Sequence, residues 1–112
     1  MDKSLHPIPE LVADEYAGKI LSTTFTQPRC VQEICEMTGM PVAVAYRRVQ
    51  ALEDAGLIKC LRTDVASSGR KSKFYHCQVD MVRLTFRNGH FEVEIKWKDR
   101  VSEKFAPSTF DY

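Results

Sequence analysis

The chain has 112 residues, 44% hydrophobic and 28% charged, with 16 Lys and Arg against 15 Asp and Glu, for a formal net charge of +1. That length suits one domain with a modest core, below the size at which chains usually split, and a near-neutral total argues neither for nor against nucleic acid. No apolar run approaches the ~20 residues of a spanning helix, and the polar start MDKSLHPIPE lacks the apolar stretch of a signal peptide. The expectation is a soluble, cytoplasmic protein with no membrane partner, whose Cys30, Cys35, Cys60 and Cys77 stay reduced.

Residues 1–13 read as an N-terminal arm, extended because Pro7 and Pro9 discourage helix. Asp14 is placed to cap a support helix running to about Thr24, with Ala17, Ile20 and Leu21 inward and Tyr16 beside them. Phe25 and Pro28 then lie in a link.

The stretch Val31 to Ile58 reads as two helices joined by a tight turn. The first runs to Thr38, with Val31, Ile34 and either Cys35 or Met37 inward. Gly39 closes it, since glycine takes a left-handed backbone at no steric cost. Met40 plugs the corner, and Pro41 suits the first position of the second helix, which should reach Ala55 before Gly56. Ala45, Val49 and Leu52 form its inner stripe. The outer face then carries Val42, Ala43, Tyr46, Arg47 and Gln50, residue types that fit a DNA major groove, where Arg pairs with guanine and Gln with adenine. Arg48 flanks the stripe and is expected to reach phosphate.

Leu57 to Arg62 and Lys73 to Val79 read as strands around a polar loop, Thr63 to Ser72. Arg70 and Lys71 sit on that loop, with Lys73 just beyond, so a cationic hairpin projects next to the second helix. Counting Lys and Arg against Asp and Glu, residues 1–39 hold 3 against 6, residues 40–75 hold 7 against 3, and residues 76–112 hold 6 against 6. The excess positive charge falls where a phosphate backbone would need it.

Met81 to Lys98 alternates strictly around Asn88-Gly89, the preferred pair for a two-residue turn. This fixes a β-hairpin with Arg87 opposite His90, Phe86 opposite Phe91, Leu84 opposite Val93, Arg83 opposite Glu94 and Val82 opposite Ile95. One face, Val82, Leu84, Phe86, Phe91, Val93, Ile95 and Trp97, is wholly apolar. An isolated hairpin is marginal in water, so that face must be covered by its own domain or by a second subunit; a dimer interface is the favoured reading. Residues 99–112 read as a tail that Phe105, Phe110 and Tyr112 could anchor.

The strings GMPVAVAYRRVQALEDAGLI at Gly39 to Ile58, EIC at Glu33 to Cys35 and GRKSKFY at Gly69 to Tyr75 resemble the winged helix-turn-helix regulators of the arsenical-repressor (ArsR-like) superfamily, in the form common in archaeal genomes. The similarity covers about Asp14 to Val79. It implies a homodimer on a roughly palindromic operator, recognition helix in the major groove and wing across the backbone or minor groove. Two departures stand out: Cys30 replaces the usual Ser or Thr cap before the first helix of the pair, although Glu33 keeps the other half of a capping box; and the cysteine motif of the metal-sensing members is absent, so metal sensing is not carried over.

Catalytic chemistry has no foothold. His6, His76 and His90 are scattered, and there is no nucleophile motif, phosphate-cradling loop or paired catalytic acid, so no enzyme, cofactor, metal or small-molecule substrate is expected. Cys60 and Cys77 lie on the two wing strands and could be cross-strand neighbours.

The fold expected is α+β, a winged helix-turn-helix of three helices and a β-wing over residues 14–79 with an additional C-terminal hairpin over residues 80–98. The function expected is sequence-specific binding of double-stranded DNA as a homodimeric transcription regulator. Its contacts would come from Val42, Ala43, Tyr46, Arg47, Arg48 and Gln50 on the helix and from Arg70, Lys71 and Lys73 on the wing. The competing readings are a protein-interaction adaptor on the same fold, and a thiol- or metal-responsive variant of the regulator.

Overall fold

The structure, a computed structural model, describes residues 8–105. Its elements are α1 (Ile8–Val12), α2 (Glu15–Thr26), α3 (Val31–Thr38), α4 (Val42–Asp54), β1 (Ile58–Val65), β2 (Lys71–Cys77), β3 (Val79–Arg87), β4 (His90–Trp97) and β5 (Glu103–Phe105). This is the expected α+β architecture: the α3–α4 pair on the support helix α2, then a two-stranded wing, then a three-stranded sheet in the order β3-β4-β5.

The start of α2 and both ends of α3 and α4 have physical causes. Asp14 caps α2, its Oδ2 accepting from the Ala17 N–H at 2.9 Å. Glu33 accepts from the Cys30 N–H at 3.3 Å, the carboxylate half of a capping box on α3. Gly39, at φ 77, ends α3. Pro41 caps α4 from just outside it, one position earlier than expected. At the far end Gly56, at φ 80, lets the Leu57 N–H reach the Leu52 carbonyl at 2.9 Å while its own N–H reaches Glu53 at 3.0 Å. This paired closure seats Leu57 in the core as β1 begins.

Two stretches differ from the sequence reading. Residues 8–12, expected to be extended, form α1, because Pro9 sits in the first helical turn, where a missing N–H costs nothing. Leu11, 2% exposed, anchors this helix in the core. In the expected tail, residues 103–105 add β5 alongside β4, with Phe105 opposite Val93. His6 and the rest of the expected arm (residues 1–7), with Phe110, Tyr112 and the end of the tail (residues 106–112), lie outside the described residues.

The β3–β4 register is the one the Asn88-Gly89 turn dictates, from Arg87 opposite His90 to Val82 opposite Ile95. Arg83–Glu94 at 3.5 Å and Arg87–Glu92 at 3.7 Å pair charges across its polar face; such exposed pairs hold register more than they stabilise. The apolar face is not one surface. Val93, Ile95 and Trp97 lie in the chain's own core beside Leu11, Ile20 and Ile58, which removes them from the expected dimer interface. The reason is position: β4 is the middle strand and α1 packs against it. Val82 and Phe91 are half-buried, whereas Leu84 and Phe86 remain 49% and 63% exposed. The Trp97 indole N–H donates to Glu103 Oε1 at 2.7 Å, which ties β5 to the end of β4.

Candidate nucleic-acid interface

Helix α4 turns Ala45, Val49 and Leu52 into the core and leaves Val42, Ala43, Tyr46, Arg47 and Gln50 exposed along one face. Arg47 makes no ion pair among the described residues. Gln50 Nε2 donates to Asp54 Oδ1 at 3.0 Å, an exposed bond a base edge could replace.

Arg48 is engaged within the chain. Its Nε donates to Asp14 Oδ2 at 2.9 Å and its Nη2 to Asp14 Oδ1 at 3.2 Å, a bidentate pair that binds α4 to the cap of α2. The Arg48 guanidinium holds the Asp14 carboxyl below its ordinary value, against the opposing push of burial, and Asp14 in turn raises Arg48. The guanidinium expected to reach phosphate is thus engaged by the support helix, with its side chain 24% exposed.

The wing strands run longer than expected, to Val65 and from Lys71, so the loop shrinks to residues 66–70. The Ala66 N–H bonds the Arg70 carbonyl, and the Gly69 N–H the Ala66 carbonyl, both at 2.9 Å. Gly69 stands at φ 87, which a side chain would strain. The tip holds Arg70 and Lys71 exposed, and Lys73 points out of β2; none of the three is ion-paired among the described residues.

Between α4 and the wing lies a groove of about 810 Å³, lined by Tyr46 and Gln50 from the helix, Ser68, Arg70, Lys71 and Lys73 from the wing, and also by Gln32, Ser72 and Tyr75. Sequence reasoning placed none of Gln32, Ser68, Ser72 and Tyr75 at the interface. The signal for Gln32 was its outward place in the first turn of α3; nothing local marked Tyr75. Burial raises the Tyr75 phenol above its ordinary value.

Wing and helices are tied at the base. Arg29 and Tyr75 exchange backbone bonds at 2.9 and 2.8 Å, bridging β2 to the residue that precedes the cap of α3. Cys30, 1% exposed, packs with Ala66 and Phe74 in a small separate cluster. This accounts for the departure at the cap: the position needs an apolar neighbour for the wing more than a hydroxyl for the helix.

Cys60 and Cys77 are not opposite one another. Cys60 faces Tyr75 and Cys77 faces Ile58, so the two thiols are diagonal neighbours. All four cysteines are free. Burial pushes the Cys77 thiol up, and Cys35 shifts the same way for the same reason. A thiol reagent is therefore expected to leave Cys30 and Cys77 untouched in the native protein and to reach them only on unfolding; rapid native labelling of Cys77 would restore the thiol-sensing reading. No cluster of three or more His, Cys, Asp or Glu side chains able to hold a metal occurs among the described residues, and none of their helices is long and apolar enough to cross a membrane.

Residues 14–59, 46 of the 112, match the family described as winged helix-turn-helix DNA-binding. No curated protein is similar enough to the chain to register as a match. The matched span covers α2, α3, α4 and the start of β1, so the helices that build the exposed face are the part of the chain similar to that family.

Proposed function

We propose that this chain is a transcription regulator of the ArsR-like kind that binds double-stranded DNA sequence-specifically as a homodimer. The observation that carries the reading is the groove in which a polar helix face and a cationic wing converge: Tyr46 and Gln50 on one side, Arg70, Lys71 and Lys73 on the other, with Arg47 exposed on the same helix outside the groove wall. Arg47 and Gln50 would read base edges, with Val42 and Ala43 small enough at the helix start to permit close approach. The wing cations would neutralise phosphates. The candidate contacts fall within residues 14–79, and the part of residues 80–98 left exposed, Leu84 and Phe86, would meet the second subunit.

Fluorescence anisotropy against the upstream DNA of its own gene and a scrambled duplex, over several salt concentrations, tests this. Binding to both that weakens steeply with salt and is tighter on the upstream sequence is the expected result. No binding to either duplex at low salt would overturn it. In the same assay Arg47→Ala should cost about 1–3 kcal/mol on the operator and relax discrimination, whereas Lys71→Ala should weaken every duplex alike and lower the salt slope by about 1. Equal losses for Arg47→Ala on operator and scrambled DNA would remove it from base reading.

A further inference from the structure

β3 is bonded to β4 on one side and to nothing on the other among the described residues. Nine residues long, it carries the two most exposed apolar side chains of the sheet's inner face, Leu84 and Phe86. Natural edge strands are usually guarded by free charge, proline or brevity. Here the edge arginines, Arg83 and Arg87, are already paired to Glu94 and Glu92 of β4. In a ladder closed by a two-residue turn the flanking pair, Arg87 and His90, exchanges both backbone bonds, so alternate residues of β3 face β4. The others, Val82, Leu84 and Phe86, aim their N–H and C=O groups at the open edge.

We infer that two copies join through this edge, β3 antiparallel to β3 about a two-fold axis at Leu84, giving a continuous six-stranded sheet. The inference rests on the homodimer reading above. Keeping the apolar faces on one side restricts the pairing to registers two residues apart. Centring on Arg83 sets Arg83 against its own copy, and centring on Thr85 sets Arg83 against Arg87. Centring on Val82 sets Leu84 against the exposed Asp80, and centring on Phe86 leaves little strand to pair. Centring on Leu84 alone pairs residues 81–87 throughout without opposing like charges: Leu84 meets Leu84, Arg83 meets Thr85, and Arg87 meets Met81.

A second observation fits the same register. Val82 then lies opposite Phe86 of the second copy, and Val82 borders a groove of about 280 Å³ walled by Leu21, Phe25 and Met81. Phe86, 63% exposed in the single chain, is thereby brought beside a largely apolar groove that Phe25, itself 44% exposed, lines together with Ser22 and Asp80. Two such insertions, related by the axis, cover what one chain leaves bare.

Sedimentation of wild type and Leu84→Glu tests the pairing, with Val101→Glu, an exposed apolar site off the edge, as control. Since Leu84 is half exposed, the variant keeps its fold, which circular dichroism checks. Two carboxylates on the axis should weaken self-association roughly a hundredfold, while Val101→Glu leaves it unchanged. For register, a short bifunctional thiol reagent should link Leu84→Cys to its copy but not Arg87→Cys, whose copies lie about 20 Å apart along the strand; the wild type's own thiols set the background. A dimer indifferent to Leu84→Glu would overturn the edge pairing and leave the homodimer standing. Equal linking at positions 84 and 87 would overturn the register, and a wild-type monomer at every concentration would remove pairing and homodimer together, with DNA binding still measured separately.

Discussion

Trp97→Ala is expected to destabilise the protein by about 3–5 kcal/mol, the range for removing a large aromatic from a packed interior. Trp97 is 4% exposed within the same cluster as Leu11, Ile20 and Ile58. The alanine would leave a cavity, strand the Glu103 carboxylate that the indole N–H now engages, and free Arg100, whose guanidinium sits 4.2 Å from the ring centre. Denaturant unfolding with unchanged slope and a lower midpoint is the expected outcome, at protein concentrations below any self-association. A loss under about 1 kcal/mol would mean that the C-terminal sheet is an appendage and the helical unit folds without it.

Asp14→Ala is expected to cost about 2 kcal/mol, since it removes at once the cap of α2 and the bidentate partner of Arg48. For a domain this size that lowers the melting temperature by about 8–16 °C. The pH dependence has a definite sign. The folded carboxyl is held below its ordinary value, chiefly by Arg48, so its contribution is fully present above the unfolded value, about pH 4, and fades as pH falls further through the folded value. Wild-type stability should therefore decline below about pH 4 more steeply than that of Asp14→Ala. Arg48→Ala should share the thermal loss yet, well below its melting temperature, keep the wild-type salt slope for DNA. A slope lower by about 1 would return Arg48 to the phosphate contacts.

What the sequence made legible was local chemistry. Asn88-Gly89 set the β3–β4 register, Gly39 and Gly56 ended two helices, and Asp14 began one, because each acts through its own backbone. What it hid depended on distant partners. Arg48 lies at the margin of a helical stripe, and only the fold brings Asp14, 34 positions away, to its guanidinium. Alternation in the hairpin gave the face of each side chain but not its depth: Val93 and Leu84 are opposite neighbours on one face, yet one is fully buried and the other half exposed, since α1 covers β4. α1 was hidden because two prolines read as breakers when one of them sat where a helix tolerates it. β5 was too short to show a period. In the interface the exposed helix residues and the wing cations were visible in the chain, whereas Tyr75 enters the groove through a strand pairing that no neighbour announces.

The Arg29–Tyr75 bridge and the Cys30, Ala66 and Phe74 cluster tie the base of the wing to the start of α3. On the DNA-binding reading proposed above, such a protein would arrive with its two contact elements at a set spacing, and little ordering cost would fall on it when it binds. The adjustment would pass to the duplex, which would have to bring a groove and its flanking backbone to that spacing by bending or by narrowing. Step flexibility between the two contacts, at base pairs no side chain touches, would then enter recognition.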